Sequence, residues 1–323
     1  MTLARHVHTL GRGPGRSRGL TQAEAAESMC LMLSGTAAPE AIGALLMLLR
    51  MKGETAEEIA GLAQAARATI TDLPRVDLDW PSYAAGRTRG QPWFLLSARL
   101  VAQAGHRVLL HGWNGADQTL RDGLAEVGIM TASDPDAAAR TLDRDGIAYM
   151  PLESLSPDLF RLLALRDVLG LRSCINTVCR MLNPAGARAS VQGVFHPSYR
   201  LLQAHAAQLS GWDALSVIKG AGGEFECNPA KDVAAFGLRR GQPWEQIRLA
   251  TRDETRRLIE DTSLTLTDLW EGRRPDAAFE RDMIIGTAAL ALDTLGDPRA
   301  DVNARRLWQG RAQIHATCTE TAP

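Results

Sequence analysis

The 323-residue sequence lacks paired cysteines, long apolar runs and an excess of basic charge. Its five cysteines show no CxxC spacing, so we expect neither a zinc site nor a disulfide framework. No run of about 18 apolar residues could form a membrane helix, and the N-terminus has no apolar stretch typical of a signal peptide. These absences predict a cytoplasmic protein without a membrane partner. The net charge is -1, so any nucleic-acid contact must come from a local patch.

The length and composition fit a soluble protein with a sizeable core and either two domains or one large domain with a helical cap. The first nineteen residues are rich in Gly and Arg and predict partly irregular structure. Thr21 with Glu24, and Thr55 with Glu58, have the spacing of capping boxes. Together with a proline that can open a helix between them, they predict three short helices. Residues 1–73 are therefore expected to form a helical domain.

The pattern changes from residue 74 onward. Strand-like runs appear at VDLDW, HRVLLHG, IAYMP, ASVQGVF and ALSVIKG, with helix-length apolar segments between them. Alternating strands and helices favour an α/β architecture with a sheet covered by helices. Residues 74–323 are therefore expected to form one α/β domain.

One loop, residues 80–93 (WPSYAAGRTRGQPW), stands between a predicted strand and a predicted helix. A helix N-terminus offers free amides and a positive dipole end, so such a loop suits an anion. A tight phosphate cradle needs several glycines, whereas Gly86 and Gly90 stand apart here. Arg87 and Arg89 favour contact with a polyanion. The alternative is an ordinary loop with solvated arginines.

Four segments carry a resemblance to a known family over nearly the whole chain. They are ALLMLLRMKGETAEEIAGL, LRDVLGLRS with MLNP (residues 165–184), VFHP (194–197) and KGAGGEFECNP (219–229). In this order they resemble the superfamily of anthranilate phosphoribosyltransferase and pyrimidine nucleoside phosphorylase, glycosyltransferase family 3. The resemblance implies a small N-terminal helical domain and a larger α/β domain with a mixed central sheet covered by helices.

Shorter segments resemble the YbiB-like branch of that superfamily. They are LGRG, PSY, VLLHG, YMP and GGEFECNP. The likeness implies a homodimer, formed through the N-terminal helical domain, that binds nucleic acid without sequence preference.

The resemblance also implies where a phosphoribosyl donor would bind, and the sequence departs from the family there. The GTGGD-type pyrophosphate loop corresponds to residues 80–93, which lack its glycine pattern. The KHGN loop survives in part, with Leu110 in place of the cation. His111 and Asn114 could contact a ribose or a phosphate, or could instead satisfy hydrogen bonds of the turn.

Phe225 replaces the Asp of the adjacent Asp and Glu that hold magnesium in active relatives, and Glu226 matches the family Glu. Glu224 and Glu226 are therefore the candidate ligands for Mg²⁺, which prefers oxygen ligands in octahedral geometry. Arg166 matches the family arginine that contacts the acceptor's carboxylate. The alternative for Arg166 is a surface charge on a helix.

Two functions remain open. The first is a binding protein for nucleic acid or another polyanion, on a scaffold whose donor site is degraded. Its candidate contacts outside the donor loop are Arg99, Arg107 and Arg200. The second is an active pentosyl or phosphoribosyl transferase with an unidentified acceptor. Only the second function implies a cofactor, which would be Mg²⁺.

Overall fold

The computed structural model of the chain describes residues 2–13, 15–83, 90–113, 115, 118–253 and 264–319. The N-terminal part contains α1 (Ala4–Gly11), α2 (Gln22–Leu33), α3 (Pro39–Lys52) and α4 (Ala56–Arg67). Three of these helices are predicted by the sequence, and α1 is not. The Gly- and Arg-rich composition of this segment gives no helix prediction for α1. Leu3, His6 and Leu10 are nevertheless buried along one of its faces.

Both predicted capping boxes are present. Thr21 accepts from the amide of Glu24, and Glu24 Oε2 accepts from the amide of Thr21 over 2.9 Å. At the start of α4, Glu58 Oε2 accepts from the amide of Thr55 over 2.8 Å. Glu58 is fully buried, and its second oxygen accepts from the amide of Leu20 over 2.8 Å. The carboxylate therefore joins α4 to the segment that leads into α2.

The larger part alternates strands and helices. Its strands are β1 (Leu78–Ser82), β2 (Val108–Gly112), β3 (Ile147–Pro151), β4 (Ala189–Val194), β5 (Ala214–Lys219), β6 (Val233–Arg239) and β7 (Gln242–Arg248). Its helices are α5 (Phe94–Gln103), α6 (Thr119–Glu126), α7 (Pro135–Asp145), α8 (Leu152–Leu155), α9 (Pro157–Leu169), α10 (Ile175–Arg180), α11 (Tyr199–Leu209), α12 (Leu266–Trp270), α13 (Ala278–Thr294) and α14 (Ala300–Thr319).

The strands form one mixed sheet in the order β3-β2-β1-β4-β5-β6-β7. The first five in sequence are parallel and correspond to the five predicted runs, whereas β6 and β7 are antiparallel. The hairpin of β6 and β7 turns at Arg240 and Gly241, whose φ angles are 53° and 71°. Two positive φ angles match the primed turns that suit the twist of a hairpin. The expected mixed sheet in an α/β fold is confirmed.

Helices cover both faces of the sheet. One apolar core lies on the side of α5, α13 and α14, and the other joins the opposite face to α2, α4, α10 and α11. Among the described residues, no helix combines the length and apolar character needed to cross a membrane.

Candidate functional site

The carboxyl ends of the parallel strands meet at one edge of the sheet, where ligands of open α/β sheets bind. Four of them end there, at Ser82, Gly112, Val194 and Lys219. We refer to this side as the carboxyl edge. Three predicted contact residues lie outside the described residues: Arg87, Arg89 and Asn114.

The first amide of α5 is hydrogen-bonded to a carboxylate of the chain itself. Phe94 N donates to Glu226 Oε1 over 3.0 Å, and Glu226 is 1% exposed. The first-turn amides and the positive dipole end of a helix attract anions. Glu226 therefore supplies, from within the protein, the negative charge that a phosphate would bring to this position.

Glu224 is held at the end of β1. Its Oε1 accepts from Ser82 Oγ over 2.9 Å, and its side chain is buried. The backbone of Glu224 packs tightly against two glycines. A Cβ on Gly193 would lie 2.1 Å from the carbonyl carbon of Glu224, and one on Gly220 would lie 1.5 Å from its oxygen. Glycine is therefore required at both positions to place the loop that carries the two glutamates.

Phe225, between these glutamates, is a core residue. Its side chain is fully buried, and its ring meets Trp80 edge-on with the centroids 5.5 Å apart. Trp80 also stacks on Phe94, with the centroids 6.1 Å apart. Trp93 is buried in the same core. These tryptophans therefore stabilise the start of α5 and are not accessible for stacking on bases.

Within the described ranges, both candidate magnesium ligands have hydrogen-bond partners in the protein. No group of three or more His, Cys, Asp or Glu side chains that could hold a metal is found in the described ranges. The carboxylate of Glu226 accepts a helix amide, and that of Glu224 accepts a hydroxyl. The side chain that stands in place of the family Asp, Phe225, has no oxygen to offer to a metal.

His111 faces the core rather than the carboxyl edge. Its Nδ1 lies 2.8 Å from Tyr83 Oη and its Nε2 lies 3.0 Å from Asp79 Oδ1, and the ring is fully buried. Asp79 also accepts from Ser190 Oγ over 2.7 Å. An ionised Asp79 only accepts, so it favours the tautomer with the proton on Nε2, and Tyr83 then donates to Nδ1. This geometry favours the structural alternative for His111 over contact with a ligand.

Burial raises the pKa of Tyr83 well above its usual value, so its hydroxyl stays protonated. Its backbone carbonyl is held by Arg180, a site residue that the sequence does not predict. Arg180 Nη2 donates to Tyr83 O and its Nε donates to Gly193 O, each over 3.1 Å. Burial lowers the pKa of Arg180, while the negative charge of Glu224 opposes this change. The buried guanidinium therefore joins the ends of β1 and β4.

Three arginines form a group that we call the arginine cluster: Arg50, Arg166 and Arg172. Arg50 Nη1 donates to the carbonyl of Arg172 over 2.5 Å. Burial lowers the pKa of Arg172, and the positive charges of Arg166 and Arg50 lower it further. The Arg166 guanidinium lies 5.6 Å from the ring centre of Trp113, directly after β2. The cluster therefore concentrates positive charge near the carboxyl edge.

The other predicted arginines do not join this cluster. Arg107 precedes β2 at the opposite edge of the sheet and pairs with Asp143 over 2.7 Å. Arg99 donates to the carbonyl of Val127. Arg200 donates over 3.0 Å to a carbonyl of β6. All three arginines thus have contacts within the protein, and Arg107 lies just before β2, at the end opposite Trp113 and Arg166.

Comparisons with known proteins agree with this fold. Residues 7–70 match the model described as glycosyl transferase family, helical bundle domain. Among curated proteins, the anthranilate phosphoribosyltransferase of Chloroflexus aurantiacus is 35% identical over 245 residues, which cover 73% of this chain and 71% of that protein. The enzyme of that name from Anaeromyxobacter sp. (strain K) is 32% identical over 296 residues, which cover 86% and 85%.

Solved structures show the same fold. The crystal structure of anthranilate phosphoribosyltransferase from Thermus thermophilus superposes with a TM-score of 0.78 at 20% identity, covering 98% of this chain and 97% of that one. The Saccharomyces cerevisiae enzyme in complex with PRPP and Mg gives a TM-score of 0.75 at 15% identity, covering 97% and 95%. On the strength of its curated relatives, the chain belongs to the anthranilate phosphoribosyltransferase family.

Proposed function

We propose that this chain binds a polyanion, most readily nucleic acid, and that its phosphoribosyl donor site is degraded. The observation that carries the proposal is the hydrogen bond from Phe94 N to Glu226, because it fills the helix end where the donor's pyrophosphate would bind. The cytoplasmic homodimer expected from the sequence belongs to the same proposal. Met51, exposed at the end of α3 in the N-terminal part, supports a contact surface there.

Charge at the donor position supports this function. A pyrophosphate there would approach two buried carboxylates, those of Glu224 and Glu226. Like charges brought close together repel strongly where water is excluded. A magnesium ion could offset the repulsion, but Phe225 takes the place of one of its expected ligands. Binding of the donor would therefore require both glutamates to leave their present partners.

The arginine cluster supports the polyanion. Among the described residues, Arg50 and Arg172 have no carboxylate within ion-pair distance, and Arg166 has only Asp167 at 3.7 Å. Three neighbouring cations repel one another, and a phosphate backbone would neutralise them while releasing its counterions. Arginine also forms bidentate contacts with phosphate. The cluster, rather than the scattered Arg99, Arg107 and Arg200, is the surface we assign to the polyanion.

The test is a fluorescence anisotropy titration with a labelled single-stranded oligonucleotide and a duplex, repeated over a range of salt concentrations. We expect Arg172→Met to weaken binding about tenfold at low salt and to reduce the slope of log K against log[salt] by about 1. Arg75→Met, an exposed arginine outside the cluster, is the matched control. Absence of binding by the unmodified protein even at low salt would end the idea.

A working transferase on an unidentified acceptor is the second candidate. It is favoured by the position of Arg166, which lies beside Trp113 at the end of β2 and matches the family arginine for the acceptor's carboxylate. Calorimetry with phosphoribosyl pyrophosphate and Mg²⁺ separates the two functions. Tight binding of the donor would favour the transferase, whereas its absence together with oligonucleotide binding would favour the polyanion.

A further inference from the structure

A cavity whose lining includes none of the arginine cluster lies between β6, β7, α13 and α14. Its volume is about 490 Å³, within the usual range for sites of small ligands. Cys227, Asn228 and Pro229, just after Glu226, line one side. Neither the donor nor the polyanion described above uses this space. Five charged side chains line it: Lys231, Arg248, Arg305, Asp282 and Asp301.

Both carboxylates of the cavity are already neutralised. Asp301 pairs with Arg248. Asp282 pairs with Arg252 over 2.7 Å and with Arg281 over 3.3 Å. Because each carboxylate has an arginine of its own, neither is left to balance the remaining cations of the lining.

Those cations are Lys231 and Arg305. Both side chains are exposed, and within the described ranges neither has an ion-pair partner. Among the described residues, these two positive charges of the cavity therefore have no ion-pair partner. A phosphate monoester carries about -1.5 to -2 charges at pH 7, so one such group would balance both.

The rest of the lining is partly apolar. Val233 and Ile285 lie in the wall, and Ile247 and Leu249 continue it. Ile247 is 65% exposed and Leu249 is 74% exposed, so most of the surface of these two apolar residues is in contact with water. An organic group attached to the phosphate would cover them and gain the free energy of apolar burial.

We propose that this cavity binds a small organic phosphate, with Lys231 and Arg305 on the phosphate and Ile247, Leu249 and Ile285 against the organic part. The two cations differ usefully in chemistry. Lysine offers a compact point charge, whereas arginine offers a planar fork that can bind two phosphate oxygens. The mixed lining thus selects for an amphipathic anion rather than for a bare ion.

The test is isothermal titration calorimetry of the full chain with phenyl phosphate and with inorganic phosphate at low ionic strength. We expect phenyl phosphate to bind more tightly, because only it reaches the apolar wall. Lys231→Met and Arg305→Met should each weaken its binding about tenfold. Arg306→Met, the next residue of α14, is the matched control and should bind as the unmodified protein does.

Two outcomes would overturn the proposal. One is the absence of heat from the unmodified protein at millimolar phenyl phosphate. The other is equal binding by Lys231→Met, Arg305→Met and Arg306→Met. The variant Arg172→Met should retain phenyl phosphate binding even where it loses the oligonucleotide. Failure of this cavity and failure of the proposed polyanion surface are therefore distinguishable.

Discussion

Replacement of Glu226 by alanine tests the central feature of the donor site. The buried carboxylate accepts from Phe94 N at the start of α5 over 3.0 Å. A hydrogen bond to a charged group contributes roughly 1.5–3 kcal/mol, and the helix dipole favours the same charge. We therefore expect Glu226→Ala to lower the free energy of unfolding by about 2–3 kcal/mol. Glu226→Gln, which keeps an oxygen acceptor but not the charge, should cost less.

The same variant should gain affinity for an anion. With the carboxylate gone, Phe94 N loses its acceptor and can donate to an oxygen of pyrophosphate. A ligand present at about 100 times its Kd stabilises the folded state by about 2.7 kcal/mol. Pyrophosphate should therefore return most of the stability lost by Glu226→Ala and should leave the unmodified protein almost unchanged.

Urea denaturation followed by tryptophan fluorescence, with and without Mg²⁺ and pyrophosphate, measures both effects. Glu245 is an exposed glutamate on β7, and Glu245→Ala is the matched control. It should leave the urea midpoint unchanged both with and without Mg²⁺ and pyrophosphate. The reasoning fails if Glu226→Ala is as stable as that control. It fails equally if pyrophosphate stabilises the unmodified protein as much as the variant.

Two other substitutions address packing and capping. Phe225→Ala should cost about 3–5 kcal/mol in urea denaturation, because the ring is fully buried against Trp80; a loss below about 1 kcal/mol would contradict the core role. Glu24→Gln should cost about 1 kcal/mol at pH 7. Arg18 lowers the pKa of Glu24 from 4.5 to about 2, so this difference should vanish as pH falls through that interval; a constant difference would contradict the assignment.

Local features of the fold are predictable from the sequence. The capping boxes involve residues three positions apart, and the apolar runs of β1 to β5 mark buried strands of a parallel sheet. The hairpin of β6 and β7 is not predicted, because β7 is an edge strand whose residues QPWEQIR are mostly polar and exposed. An edge strand needs no apolar run, so periodicity carries little signal there.

Contacts that build the site depend on long separations in sequence. Glu226 and Phe94 are 132 residues apart, and Arg50 and Arg172 are 122 apart. No spacing rule connects such pairs, so the sequence predicts Glu226 as a metal ligand rather than as the partner of a helix amide. The replacement by Phe225 is visible in the sequence, yet only the packing on Trp80 explains what the ring does.

The buried contacts of Arg180 and the more exposed charges of the arginine cluster should respond differently to salt. Its buried guanidinium donates to the carbonyl of Tyr83, just after β1, and to that of Gly193 in β4. Mobile salt screens exposed charges beyond about 8 Å at physiological ionic strength but reaches buried groups far less. Raising the salt concentration should therefore weaken the proposed binding of a polyanion to the arginine cluster, while the contacts of Arg180 between β1 and β4 stay intact. Ionic strength becomes a reversible control on binding alone.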